Sequence, residues 1–424
     1  MLDQLTIEQA AHTSGEAPII VALSGGGDSV ALLGLMRAHF GGERLRALVV
    51  DHALREGSND DARRAQGFAD KIGVAAEVLT VSWPDGVKRS QAAARAARYA
   101  IICERARELG ARVIACAHTA DDQIETILMR AAQGSSWRGL AGMTGFAPVP
   151  VWPEGRGMWL ARPLINERRA WLRNYLGAEG AAWIEDPANS NTAFERVRVR
   201  AYLAELEAGG ADVVRLALLA ARIRPHVAAL DRAAAAYLSA GAQFEGPAIF
   251  VDRSAWSAPV PPPVQELSIP ASAPASIPEH VRRRALSALI TAAAGALREP
   301  PADAIERLDA RMQAGDFRGA SLGGATIAVK GARLRIDRDW GALHGRADGA
   351  PGAQRLALTP HHLTVWDGRL ELCVGETGWS VGPARGGVEL QCAGKAEALA
   401  PLIVEKKARW LLRQRVAHLL GEHD

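Results

Sequence analysis

Ser24-Gly25-Gly26-Gly27-Asp28-Ser29 follows directly on an apolar run at 19–23 and leads directly into an amphipathic stretch at 29–40. A glycine-rich turn between a strand and a helix gathers backbone N–H groups and the positive end of the helix at one point, and such a point binds anions. Glycines at 25, 26 and 27 let the backbone approach phosphate oxygens, and Ser24 and Ser29 add hydroxyl donors. Asp28 brings a carboxylate suited to magnesium or to orienting a neighbour. The loop is not GxxxxGK[ST], because no lysine follows the glycines, and it lacks the spacing of GxGxxG. Kinase, GTPase and dehydrogenase readings lose ground accordingly. The plain alternative is a turn packed tightly for structural reasons alone, and the flanking serines and aspartate argue against it.

Outward from the loop, apolar runs at 19–23, 46–50, 76–81 and 112–117 are predicted strands, alternating with predicted helices over 29–40, 57–72 and 90–109. Helices of that length serve as crossovers, so the strands should be parallel. The predicted fold is α/β, a doubly wound, Rossmann-like parallel sheet with its ligand beyond the carboxyl ends of the strands.

Prolines and glycines at 146–157 break the pattern, and a basic, tryptophan-containing helical segment runs on to about 206. The alanine-rich stretch 211–241 is a predicted long helix, and 259–278 is a proline- and serine-rich loop. Helices over 278–295 and 302–314 precede short alternating runs at 326–330 and 333–336, which predict strands. The expected division is a catalytic domain at 1–208, a mainly helical middle domain at 209–340 and a small mixed α/β domain at 341–424.

The 424 residues are 48% hydrophobic and 23% charged, which fits a chain of two or three globular domains and excludes disordered or collagen-like classes. A net charge of +3 permits a nucleic-acid partner without demanding one. Cys103, Cys116, Cys373 and Cys392 form no CxxC pair, so zinc, iron–sulfur and disulfide frameworks are not indicated. No run of 18 apolar residues occurs and the start lacks a leader pattern, so a cytoplasmic protein without membrane contact is expected.

The loop Ser24 to Ser29 resembles the SGGxDS loop of the N-type ATP pyrophosphatases, the PP-loop superfamily, which cleave ATP between the α- and β-phosphates. Further segments are similar to the tRNA(Ile)-lysidine synthetases within it: Val50-Asp51-His52-Ala53-Leu54-Arg55, then 117–126 with His118, Asp121, Asp122 and Glu125. Gly139 to Met143, Arg162-Pro163-Leu164 and 183–189 continue the likeness in order, so that it covers about 18–206. Two departures stand out: Gln133-Gly134-Ser135-Ser136 where the family usually has Arg-Gly-Ser-Gly, and Arg196-Val197-Arg198 where it usually has Arg-Asn-Arg.

Asp122 and Glu125 lie three apart on one predicted helix and so share a face. An acidic pair beside ATP suits magnesium, the amines of a cationic substrate, or proton removal from an attacking amine; plain N-terminal dipole chemistry is the structural alternative. Arg95 and Arg98, three apart on the preceding helix, suit phosphates or simple solvation. The resemblance implies that the pair recognises lysine, that Arg98 and His118 belong to the same site with Asp28, and that 24–29, His52 and Arg55 hold ATP. It implies ligation of free L-lysine to C2 of the wobble cytidine of tRNA(Ile), with ATP and Mg2+ as cofactors. Arg162, Arg168, Arg169, Arg173, Arg196, Arg198 and Arg200, with Arg282 to Arg284 and Lys406 to Trp410, would then grip the tRNA. Another tRNA-modifying enzyme of the superfamily, such as a thiolase, or a non-catalytic RNA- or nucleotide-binding protein are the competing readings. The number of subunits stays open, a dimer included.

Overall fold

The computed structural model describes residues 2–54, 57–83, 90–185, 195–253, 278–314, 316–344, 353–384 and 387–422. Arg55, the motif residues 186–189 and the proline-rich loop up to 277 lie outside the described residues. The chain separates into two compact units, Met1–Val227 and Ala228–Asp424.

The first unit opens with α1 (Gln4–Ser14) and then alternates β1 (Ile19–Ala22), α2 (Gly27–Phe40), β2 (Leu45–Asp51), α3 (Ser58–Ile72), β3 (Ala76–Thr80), α4 (Gln91–Glu108) and β4 (Val113–Ala115). It continues with α5 (Ala120–Ala132), a short α6 (Trp137–Leu140), β5 (Phe146–Pro148), β6 (Trp159–Ala161), α7 (Arg169–Ala178), α8 (Glu195–Ala208) and α9 (Val214–Gly241), the last running past the unit boundary. The sheet order is β3-β2-β1-β4-β6-β5, parallel throughout except that β5 runs against β6. The observed strands match the expected runs to within a residue or two at most ends. β4 is shorter than its apolar run, so His118 stands three residues beyond it.

Alternation along β1 sends Ile19 and Val21 into a core with α2, α3 and α7, and Ile20 into a second core with α4 on the opposite face. Helices on both faces leave the strand ends as the place for a site. The chain builds β2 and β3 on one side of β1 and then crosses to β4 on the other, so the carboxyl ends of β1 and β4 form the switch point where order reverses. Cys103 and Cys116 are buried in the core beneath α4.

In the second unit β7 (Ala242–Glu245), β8 (Ala248–Asp252), α10 (Glu279–Ala294), α11 (Ala302–Gln313), β9 (Gly319–Leu322), β10 (Ala325–Lys330) and β11 (Arg333–Arg338) share one core. The strands form an antiparallel sheet in the order β7-β8-β11-β10-β9, more β-structure than the two alternating runs announced. Beyond them two small sheets, with strands between Leu356 and Trp410, surround a second core that contains Trp366, Leu370, Leu390 and Ala408. Half-buried Cys373 and Cys392 belong to this part, and all four cysteines are free.

Arg282 to Arg284 correct an expectation. Arg282 bonds both carboxylate oxygens of Asp309 at 2.6 and 2.9 Å, and Arg283 faces Glu279, Glu306 and Asp309. Arg284 is buried against Asp231, Glu299 and the carbonyl of Leu419. Guanidiniums turned onto carboxylates of their own unit anchor α10 rather than present a basic face to RNA.

Candidate active site

At the end of β1 the chain turns through Gly25 at φ 82°, in the left-handed region, where a Cβ would stand 2.8 Å from Ile184 and 2.9 Å from Ala65. The Ile184 N–H donates to the Gly25 carbonyl at 2.9 Å, so the segment Trp183-Ile184-Glu185 lies directly on the loop. Gly26 caps α2, and a Cβ on Gly27 would meet the guanidinium of Arg173 at 2.9 Å. Arg173 is held there by Trp183, 4.9 Å beneath it, and by Glu185 at 2.7 Å. The Ser29 hydroxyl donates to the Gly26 carbonyl at 2.8 Å, accepts from the Ser24 N–H at 3.2 Å and lies 3.1 Å from the Ser24 hydroxyl. A serine-lined loop at a helix N-terminus, with a guanidinium against its third glycine, has the donors and the charge that a polyphosphate needs.

Facing the loop, α5 begins with a capping box: the Thr119 hydroxyl accepts from the Asp122 N–H, while Asp122 Oδ2 accepts from the Thr119 N–H at 2.9 Å and hydroxyl at 2.8 Å. This places Asp122 and, one turn on, the buried Glu125 on the side of α5 that looks at α2 and α7. Arg169, the first residue of α7, stands between them and the loop. Its Nε donates to Asp28 Oδ2 at 2.8 Å, its Nη2 to Asp122 Oδ1 at 3.2 Å, and its Nη1 lies 3.6 Å from Glu125 Oε1. Asp121, beside Asp122, accepts the Arg169 backbone N–H at 2.7 Å and pairs with Arg168. Glu125 also takes Arg200 Nε at 2.8 Å, and Arg196 Nε lies 3.9 Å from its second oxygen.

The electrostatics follow from this packing. Burial raises the Asp28 carboxyl above its ordinary value, although Arg169 and Arg173 pull the other way. Burial works to raise Asp122 too, but Arg169 and the Thr119 N–H outweigh it and hold that carboxyl below the usual range. His118 is kept neutral, its pKa lowered by burial and by the charge of Arg162. Burial and then Arg98 lower His52 in the same sense.

Of the residues expected in the site, Asp28, Asp122 and Glu125 meet at a single guanidinium, and His118 lies close enough to feel Asp122. Arg98 and Arg95 stand by the ring of Tyr99, with Arg98 also on the His52 side, and the His52 carbonyl accepts from Trp83 Nε1 at 2.7 Å. Arg55 lies outside the described residues. Arg169 and Arg173 were legible only as members of a basic run, and the spacing of four on one helix was the available signal that both reach the same place.

For magnesium, Asp28 Oδ1 is buried with no hydrogen-bond partner. One such carboxylate beside a polyphosphate fits an ion that takes one or two carboxylates, phosphate oxygens and water. Among the described residues no cluster of three or more His, Cys, Asp or Glu side chains forms a self-sufficient metal cage, and no helix is long and apolar enough to cross a membrane.

The PP-loop domain matches residues 2–207. A tRNA(Ile)-lysidine synthase of Hyphomonas neptunium is 36% identical over 351 residues, 81% of this chain and 86% of that protein. That of Caulobacter vibrioides is 35% identical over 95% of this chain and 86% of its own length, and that of Mesorhizobium japonicum 35% identical over 84% and 72%. With relatives matched over most of both chains and the phosphate loop facing a paired-carboxylate helix, the chain belongs to the tRNA(Ile)-lysidine synthase family, and its ATP-binding part is a PP-loop domain.

Proposed function

We propose that this enzyme uses ATP to join free L-lysine to C2 of the wobble cytidine of tRNA(Ile). The observation that carries the proposal is that a single guanidinium spans from the phosphate-loop carboxylate, Asp28, to the α5 pair, Asp122 and Glu125. Nucleotide and amine sites of that separation bring an activated base and its attacking amine together. The cytidine O2 attacks the α-phosphorus and the bond to the β-phosphate breaks, releasing pyrophosphate. The lysine amine then attacks C2, the C2–O bond breaks, AMP leaves with the oxygen, and the amine gives up a proton.

Charge develops on the leaving pyrophosphate, where the loop N–H groups, Ser24, Ser29 and Arg173 supply fixed donors. Asp28 Oδ1 is the carboxylate oxygen to hold Mg2+, which would share that charge when bound. Asp122 and Glu125 attract the ammonium groups of lysine, and neutral His118 is an acceptor beside them rather than a third positive charge. A thiolating enzyme draws no support from the cysteines, since burial raises the thiols of Cys103 and Cys116.

The test is incubation with radiolabelled lysine, ATP and bulk tRNA, followed by nucleoside mass analysis. Label in acid-precipitable RNA only when ATP is present, with lysidine among the nucleosides, is the expected result. ATP-independent label, or AMP release with no lysine in the RNA, overturns the proposal.

A further inference from the structure

Arg169 is the only side chain among the described ion pairs that reaches three site carboxylates, and each of its nitrogens goes to a different one: Nε to Asp28, Nη2 to Asp122, Nη1 toward Glu125. These carboxylates come from two helices, α2 and α5, and the arginine from a third, α7. Its backbone is fixed as well, because Asp121 of α5 accepts its N–H at 2.7 Å. A planar fork with five donors suits this three-way contact, whereas the point charge of a lysine would serve one partner at a time. The fork uses one oxygen of each outer carboxylate. Asp28 Oδ1 and Glu125 Oε2 remain buried without a hydrogen-bond partner, the latter with Arg196 Nε 3.9 Å away.

We propose that Arg169 is a positioning residue: it fixes the distance between the phosphate loop and the amine-binding carboxylates, and turns one oxygen of Asp28 and one of Glu125 toward substrate. The proposal rests on the lysine-ligating reading above.

The experiment compares full-length wild type with Arg169→Gln and Arg169→Lys. It reads lysidine formation in tRNA for kcat and the KM values of lysine and ATP, and the thermal midpoint. Arg169→Gln should raise the lysine KM by about tenfold or more, with a much smaller change for ATP, and lower kcat by on the order of 10²-fold. Arg169→Lys keeps the charge and loses the fork, so its thermal midpoint should return toward wild type while the lysine KM stays raised. Should the glutamine variant fail to fold, the lysine variant decides by itself. A wild-type lysine KM in Arg169→Lys, or an ATP KM raised as much as the lysine KM in folded Arg169→Gln, overturns the proposal. Absence of lysidine with the wild-type protein would strike the function reading instead, so the two failures are distinguishable.

Discussion

The two oxygens of Asp122 do different work: Oδ2 closes the capping box with Thr119, while Oδ1 faces Arg169. The helix-capping reading of the Asp-Asp-x-x-Glu cluster therefore holds for one oxygen of this carboxylate, and the other oxygen stays available to the site proposed above. Next to it, His118 has a folded pKa below its ordinary 6.5 because burial and Arg162 oppose its charge. The sign is then determined. As pH falls below about 6.5 the unfolded chain takes up a proton that the folded chain refuses, so stability present at neutral pH is lost toward acid. Between pH 6.5 and 5 this amounts to roughly 1–2 kcal/mol. Urea unfolding of the wild type over that range should show the decline, and His118→Gln should flatten it by about that amount; parallel curves for the two proteins would mean that His118 titrates normally in the fold.

At the scale of elements, the site depends on α7 being latched to α5 across nearly fifty residues of chain. Asp121 accepts from the first N–H of α7 and pairs with Arg168, supplying negative charge where the helix dipole favours it. Asp121→Ala should cost about 1–2 kcal/mol in urea unfolding, as the loss of a cap does, and should reduce activity further than that loss explains by loosening Arg169. Full activity in this variant would show that the latch is dispensable. This latch marks where sequence reasoning stops. The strands and crossover helices were legible because their apolar periods are local, and the loop because Gly25 and Gly27 answer to needs of the backbone. Which arginine of Arg168, Arg169 and Arg173 enters the site depends on helix placement in three dimensions. Nor does any local pattern say that Ile184 and Arg173 are what the glycines make room for. The basic triplet Arg282 to Arg284 misled for the same reason, since its carboxylate partners Asp231, Glu299 and Asp309 lie up to fifty-three residues away.

Over the whole molecule, positive charge already spent on internal carboxylates contributes little to RNA binding. Arg282→Ala should leave the dependence of tRNA affinity on salt almost unchanged, within about half of the one-unit change in slope expected from losing a phosphate contact. Arg284→Ala should instead cost roughly 3–5 kcal/mol of stability by removing the buried guanidinium that bonds Asp231, Glu299 and the Leu419 carbonyl. A drop of a full unit in the salt slope for Arg282→Ala would return the triplet to the RNA-facing surface. The cysteines carry a different consequence. Two of the four lie in each compact unit, and those of the first are sealed in the core, with the Cys103 thiol pushed up to about 12 by burial. A thiol in that state does not meet an alkylating reagent as thiolate until its surroundings open. The chain thus carries its own chemical clock: the rate at which Cys103 and Cys116 become alkylated times the opening of the catalytic unit, separately from whatever Cys373 and Cys392 report about the other.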